Sequence, residues 1–164
     1  MILTYSKITT DEYLDFKKLV DKIWPSYFSS ILSPDQIDYM MNMMYSQESF
    51  VADIANSCQY YFIELNHEKI GYLAYQLNFE PHTCKLHKFY LLEMVRGKGI
   101  GRKTISWVES QCKKSKNTGL ILNVNRFNET VEIYRSLGFT VIKEIDVEIG
   151  RGYLMEDYIM ELKF

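Results

Sequence analysis

Three glycines at alternate positions, Gly97, Gly99 and Gly101, are set among four cations, Arg96, Lys98, Arg102 and Lys103. They follow an apolar run, Phe89 to Leu92, that suits the end of a central strand, and they lead into a segment of helical periodicity. No other part of the chain restricts the fold so tightly. A strand, a sharp glycine turn and a helix in succession bring backbone amides and the positive end of a helix dipole to one point, which is a seat for an anion. The charge balance keeps this feature local: 19 basic and 21 acidic side chains give a formal net charge of −2. No general basic field for nucleic acid accompanies the loop, so a small phosphate ligand is expected.

Known phosphate loops differ from this one in spacing. Counted from Gly97, a G-x-x-x-x-G-K-[ST] loop places Lys103 and Thr104 correctly but meets Arg102 where its second glycine belongs. The dinucleotide pattern G-x-G-x-x-G meets the same residue and belongs after the first strand of a βαβ unit, whereas this loop follows the fourth strand.

The remaining 164-residue sequence reads as one α/β domain, residues 1–164, without repeats or low-complexity tracts. A strand over Ile2 to Ile8 precedes a helix carrying Tyr13, Phe16, Leu19, Val20 and Ile23, which is expected to end before Pro25. Ser33-Pro34-Asp35 opens a second helix with Ile37, Met40, Met41 and Met44 on its apolar side, and a third runs from about Gln47 to Asn56. Strands over Gln59 to Leu65 and Ile70 to Leu77 form a hairpin, with Gly71 at a bulge or a close backbone approach. A strand over Thr83 to Leu92 enters the glycine loop. The helix after it runs from Gly99 to about Lys116, with Ile100, Thr104, Val108 and Cys112 on one ladder. A strand over Leu120 to Val124, a helix capped by Asn128, and strands over Thr140 to Glu148 and Tyr153 to Lys163 complete the order. Cys58, Cys84 and Cys112 are odd in number and lack metal-type spacing, which suits buried thiols in a reducing cytoplasm. No apolar run approaches the roughly 18 residues of a membrane span, so neither a membrane partner nor a metal is expected.

Arg96-x-x-Gly99-x-Gly101 after an apolar strand closely resembles the acetyl-CoA-binding motif of the GNAT N-acetyltransferase superfamily, [QR]-x-x-G-x-[GA]. Asn123 to Asn128 and Ile133-Tyr134-Arg135-Ser136-Leu137-Gly138-Phe139 extend the resemblance, and Gly152 to Tyr158 looks like the polyamine-acetylating branch. The resemblance implies a mixed, mostly antiparallel sheet of about seven strands flanked by helices, with the fourth and fifth strands splayed. It implies that CoA lies against Phe89, Tyr90, Leu91, Leu92, Arg96, Gly97, Lys98, Gly99, Ile100, Gly101, Arg102, Lys103, Asn128 and Tyr134. An amide of Leu91 or Leu92 would polarise the acetyl carbonyl, Tyr134 would protonate the leaving thiolate, and an amine would attack without a covalent enzyme intermediate. The loop before Tyr134 departs from the commoner family pattern, with Phe127 rather than Asn seven positions upstream.

Members often carry a glutamate in the strand before the motif; Lys85, His87 and Lys88 stand there instead, and His87, a group of ordinary pKa about 6.5, is the candidate base. Tyr39, Glu48, Asn123, Glu156 and Asp157, with Asp38 and Tyr158 beside them, are candidates to line the acceptor site for a cationic amine. A small amine or polyamine is the expected acceptor. A protein N-terminus or lysine is the alternative, and a non-catalytic CoA-sensing module is the rival of another class. A monomer or homodimer is expected.

Overall fold

The computed structural model describes all of residues 1–164. The strands are β1 (Leu3–Lys7), β2 (Cys58–Leu65), β3 (Glu68–Glu80), β4 (Thr83–Leu91), β5 (Gly119–Asn125), β6 (Thr140–Gly150) and β7 (Tyr153–Lys163). The helices are α1 (Tyr13–Phe28), α2 (Pro34–Met44), α3 (Gln47–Ala55), α4 (Ile100–Lys114) and α5 (Thr130–Ser136). The seven strands form one sheet in the order β1-β2-β3-β4-β5-β7-β6, antiparallel except for β4 and β5, whose parallel register runs from Thr83 with Gly119 to Leu86 with Leu122. This is the α/β architecture expected from the sequence. No helix is long and apolar enough to cross a membrane.

The chain divides into two compact units, Met1–Gln76 with Lys88–Gly101, and Leu77–His87 with Arg102–Phe164. The core of the first is aromatic. Phe16 stacks on Phe50 at 5.1 Å and meets the edges of Tyr60 at 5.3 Å and Tyr72 at 5.2 Å. Helix α1 supplies Phe16, Val20, Ile23, Trp24 and Phe28 to this core at helical spacing. It does not stop before Pro25, as the sequence suggested, but continues for another turn. Proline forfeits one backbone bond, and Trp24 and Phe28 are buried on either side of it with ring centroids 4.3 Å apart. The Ser26 hydroxyl donates to the Ile23 carbonyl at 2.9 Å in the same turn. Burial of that aromatic pair outweighs the missing bond.

In the second unit, Thr104, Val108 and Cys112 form the buried ladder of α4, and Cys84, Leu86, Leu120, Leu122 and Met160 are the buried strand residues. The Cys84 and Cys112 thiols hydrogen-bond to each other. That bond lowers the pKa of the Cys84 thiol and, with burial, raises that of Cys112.

Gly71 explains how β3 and the end of β4 come together in the first unit. A bulge shifts the β2–β3 register beside it, from Ile63 opposite Gly71 to Glu64 opposite Lys69. A methyl group at Gly71 would run into the Tyr90 carbonyl oxygen and would lie 2.8 Å from Leu91 Cδ2 and 3.2 Å from Leu91 Cα. Backbone atoms cannot give way as a side-chain tip would. Gly71→Ala is therefore expected to cost about 1–3 kcal/mol, seen as a lower urea midpoint with an unchanged slope.

Candidate active site

Between β4 and α4 the chain makes a short 3₁₀ turn over Glu93–Val95 and then enters the glycine loop. Gly97 and Gly99 both have φ of +75°, and a Cβ built on either meets nothing within 4 Å. The demand at these positions is therefore conformational: two left-handed residues turn the amides inward over an open concavity. Helix α4 begins at Ile100, has no acid in its first turn, and shows exposed Arg102 and Lys103 there beside exposed Lys98. Open space, left-handed glycines, an unopposed dipole end and three exposed cations fit a pyrophosphate. Arg96, exposed as well, also makes contacts of its own. Its guanidinium lies 4.1 Å from the centre of the Tyr27 ring, and its Nη2 donates to the Leu91 carbonyl at 3.4 Å. It braces the loop against α1 and the end of β4.

The Leu92 amide donates to the Ile70 carbonyl of β3 at 2.8 Å. That bond removes Leu92 as a donor to any ligand. Successive amides along a strand point to opposite edges, so the Leu91 amide is directed away from β3.

Tyr134 lies on α5, half-buried, with its ring edge-on to Phe139 at 5.5 Å. Gly138, at φ of +98°, reverses the chain after α5, the Phe139 amide donates back to the Tyr134 carbonyl at 3.1 Å, and Phe139 is buried beneath the helix. Asn128 acts as the expected cap, its Oδ1 accepting from the Thr130 amide at 2.9 Å.

On β4, alternation sends Cys84, Leu86 and Lys88 to the buried side and leaves Lys85 and His87 half-buried on the other. Phe79 carries both of these: its ring lies 4.6 Å under the Lys85 ammonium and edge-on to His87 at 5.7 Å. Burial lowers the pKa of Lys85, against the opposing pull of Glu80 and Asp157. In the first unit Lys88 is buried, its ammonium 3.5 Å from Asp53 and 5.3 Å from the Tyr45 ring centre. Asp53 also accepts from the Tyr60 hydroxyl at 2.5 Å, and burial followed by that bond drives the Tyr60 pKa upward.

The acceptor candidates separate. Tyr39 is half-buried on α2, and Glu48 is exposed in the first turn of α3. Glu156 and Asp157 were both candidates to line the acceptor site, and as neighbouring residues of a strand they face opposite sides. Glu156 turns to Arg126, a residue the sequence reading passed over. The Arg126 guanidinium meets Asp146 at 2.6 Å, Glu144 at 3.4 Å and Glu156 at 3.6 Å. The signal for this hub was present as acids at alternate positions of β6, but only the β6–β7 register brings Asp146 opposite Glu156. Asp157 is 4% exposed and accepts a hydrogen bond from the Asn123 amide. Burial raises its pKa above the ordinary carboxylate value, opposed by the Asn123 bond and by the charges of Arg126 and Lys85. A carboxyl with a folded pKa above its unfolded value binds its proton more tightly when folded, so its stabilisation is present at low pH and lost as pH rises through the raised value. Asp157→Asn is accordingly expected to raise the denaturation midpoint at neutral pH. The gain should shrink as pH falls toward the ordinary carboxylate range, as urea titrations at several pH values would show.

A sequence model of the acetyltransferase (GNAT) family matches residues 16–139. The fold is shared with the PaiA N-acetyltransferase from Thermoplasma acidophilum, solved in complex with coenzyme A, at 22% identity over 100% of each chain and a TM-score of 0.80. It is shared also with the ribosomal-protein-S18-alanine N-acetyltransferase of Escherichia coli, at 16% identity over 99% of this chain and 94% of that one, TM-score 0.72. A GCN5-related N-acetyltransferase from Rhodopseudomonas palustris aligns over 100% and 99% of the two chains at 11% identity and a TM-score of 0.79. No curated protein sequence matches at a significant level.

Proposed function

The chain belongs to the acetyltransferase (GNAT) family, with acetyl-CoA as its acetyl donor, and from that premise we propose that it acetylates a small primary amine, a polyamine in particular. The observation that carries the donor side is the pair of left-handed glycines, with open space above them, at the head of α4. Gly97, Lys98, Gly99, Ile100, Gly101, Arg102 and Lys103 hold the pyrophosphate through amides and exposed cations. Phe89, Tyr90, Leu91 and Leu92 with Asn128 carry the pantetheine arm. The thioester supplies an acyl carbon that an amine attacks directly. The Leu91 amide, directed away from β3, stabilises the charge that develops on the carbonyl oxygen. The Tyr134 hydroxyl gives its proton to sulfur, and His87 takes one from the amine. For the acceptor, the reading is supported by Asn123 and Asp157 of the second unit, which lie on the same face of the sheet as His87 and offer an amide and a carboxyl to an amine. Tyr39 and Glu48 remain further candidates for amine contacts. The whole chain is proposed to act as one catalytic domain in the cytoplasm.

A screen of primary amines, polyamines and N-terminal peptides for thiol release from acetyl-CoA tests the proposal. Turnover of small amines is expected. Acetylation of peptides alone would move the acceptor to protein, and CoA binding without turnover of any amine would make the chain a sensing module. Tyr134→Phe should lower kcat by about 10²–10⁴-fold while acetyl-CoA still binds. In Gly99→Ala the left-handed backbone costs an L-residue about 1–2 kcal/mol. The acetyl-CoA KM should therefore rise by roughly tenfold with the amine KM unchanged.

A further inference from the structure

We propose that Asn123 selects the acceptor: Asp157 fixes the Asn123 amide so that its carbonyl oxygen is turned outward and accepts a hydrogen bond from the incoming amine. The inference rests on the amine acetylation proposed above and concerns the second unit alone.

Asn123 is exposed on β5, one residue beyond Leu122, which forms the last pair of the β4–β5 ladder with Leu86. His87 occupies the corresponding place on β4. Lys85 is registered with Ile121, so the alternation of both strands puts Lys85, His87, Ile121 and Asn123 on one face of the sheet. On the other flank of β5, Asn123 lies opposite Ile159 and Asn125 opposite Asp157. Asn123 and Asp157 are thereby diagonal neighbours on that same face, within reach of each other.

Chemistry then decides the orientation of the amide. Asp157, 4% exposed, accepts from the Asn123 amide of β5 and feels the charges of Lys85 and Arg126, with apolar Ile145 opposite it on β6. Burial works against ionisation of Asp157, and the Asn123 hydrogen bond and both cations oppose that effect by favouring the charged form. A carboxylate only accepts hydrogen bonds, so the NH₂ group of Asn123 must face it. The two ends of an amide point apart, and Oδ1 is left facing out from the sheet beside His87. An asparagine free to rotate would offer a donor or an acceptor indifferently. This one offers an acceptor, which matches the N–H groups of an amine or ammonium.

Steady-state kinetics with spermidine and with benzylamine as acceptor probes, on the full chain, test the arrangement. Asn123→Leu should raise the acceptor KM about tenfold or more, the worth of a hydrogen bond to a charged group, and leave the acetyl-CoA KM unchanged, which also shows that the variant is folded. Asp157→Asn should raise the acceptor KM in the wild-type background and have no further effect on it in the Asn123→Leu background. An equal effect of Asp157→Asn in both backgrounds would show that Asp157 does not act through Asn123. An unchanged acceptor KM in Asn123→Leu, with the parent protein active, overturns this inference alone. Absence of turnover by the parent with every amine of the screen overturns the functional reading and this inference with it.

Discussion

A peptide group at the end of a sheet ladder must find its hydrogen bond elsewhere, and the β4–β5 pair is built around that need. Its parallel register covers four residue pairs, although β4 is nine residues long and β5 seven. Beyond the last pair, β4 is held from its other edge. Gly71 lets the β3 backbone close on Tyr90 and Leu91, and the Ile70 carbonyl takes the Leu92 amide. The Leu91 carbonyl takes Arg96, whose guanidinium rests on Tyr27. Every one of these contacts lies within one unit, and each sets where the glycine loop starts. The amides that β4 turns away from β3 are the ones that the proposed reaction assigns to the thioester arm, pairing as an added strand would.

The buried ion pair of the first unit has a related effect. Lys88 sits one residue before the apolar end of β4, and its ammonium meets Asp53 and the Tyr45 and Tyr60 rings. Such a pair adds little net stability, since desolvation offsets the Coulomb gain. Its value is in register: a slip of β4 by one residue would turn Lys88 out and bring His87 or Phe89 into a cage shaped for a cation. The same enclosure pushes the neighbouring Cys58 thiol up to about 12, chiefly through burial, so this thiol is inert near neutral pH.

Local features were legible in the sequence. The glycine loop, the α4 ladder of Ile100, Thr104, Val108 and Cys112, the Asn128 cap and the Gly138 reversal each depend on residues within a turn or two of one another. What was not legible depended on tertiary burial or register. Pro25 signalled a helix end, and the Trp24–Phe28 contact overrode it. Arg126 is unremarkable in sequence and finds its three carboxylates only when β6 and β7 are paired. Glu156 and Asp157 are both acceptor candidates in the sequence, and the pleat sends one to Arg126 and the other to Asn123.

The acids at alternate positions of β6 also bear on how copies of the chain behave in a crowded solution. β6 ends the sheet, and Val141, Ile142 and Val147 are exposed along it, the kind of edge that recruits further strands into aggregates. Glu144, Asp146 and Glu148 all face one side. A second β6 running antiparallel beside the first keeps like faces together, so its central registers set acid against acid and like-charge repulsion resists the contact. Those carboxylates are thus a guard against edge-to-edge stacking that weakens in acid or at high salt.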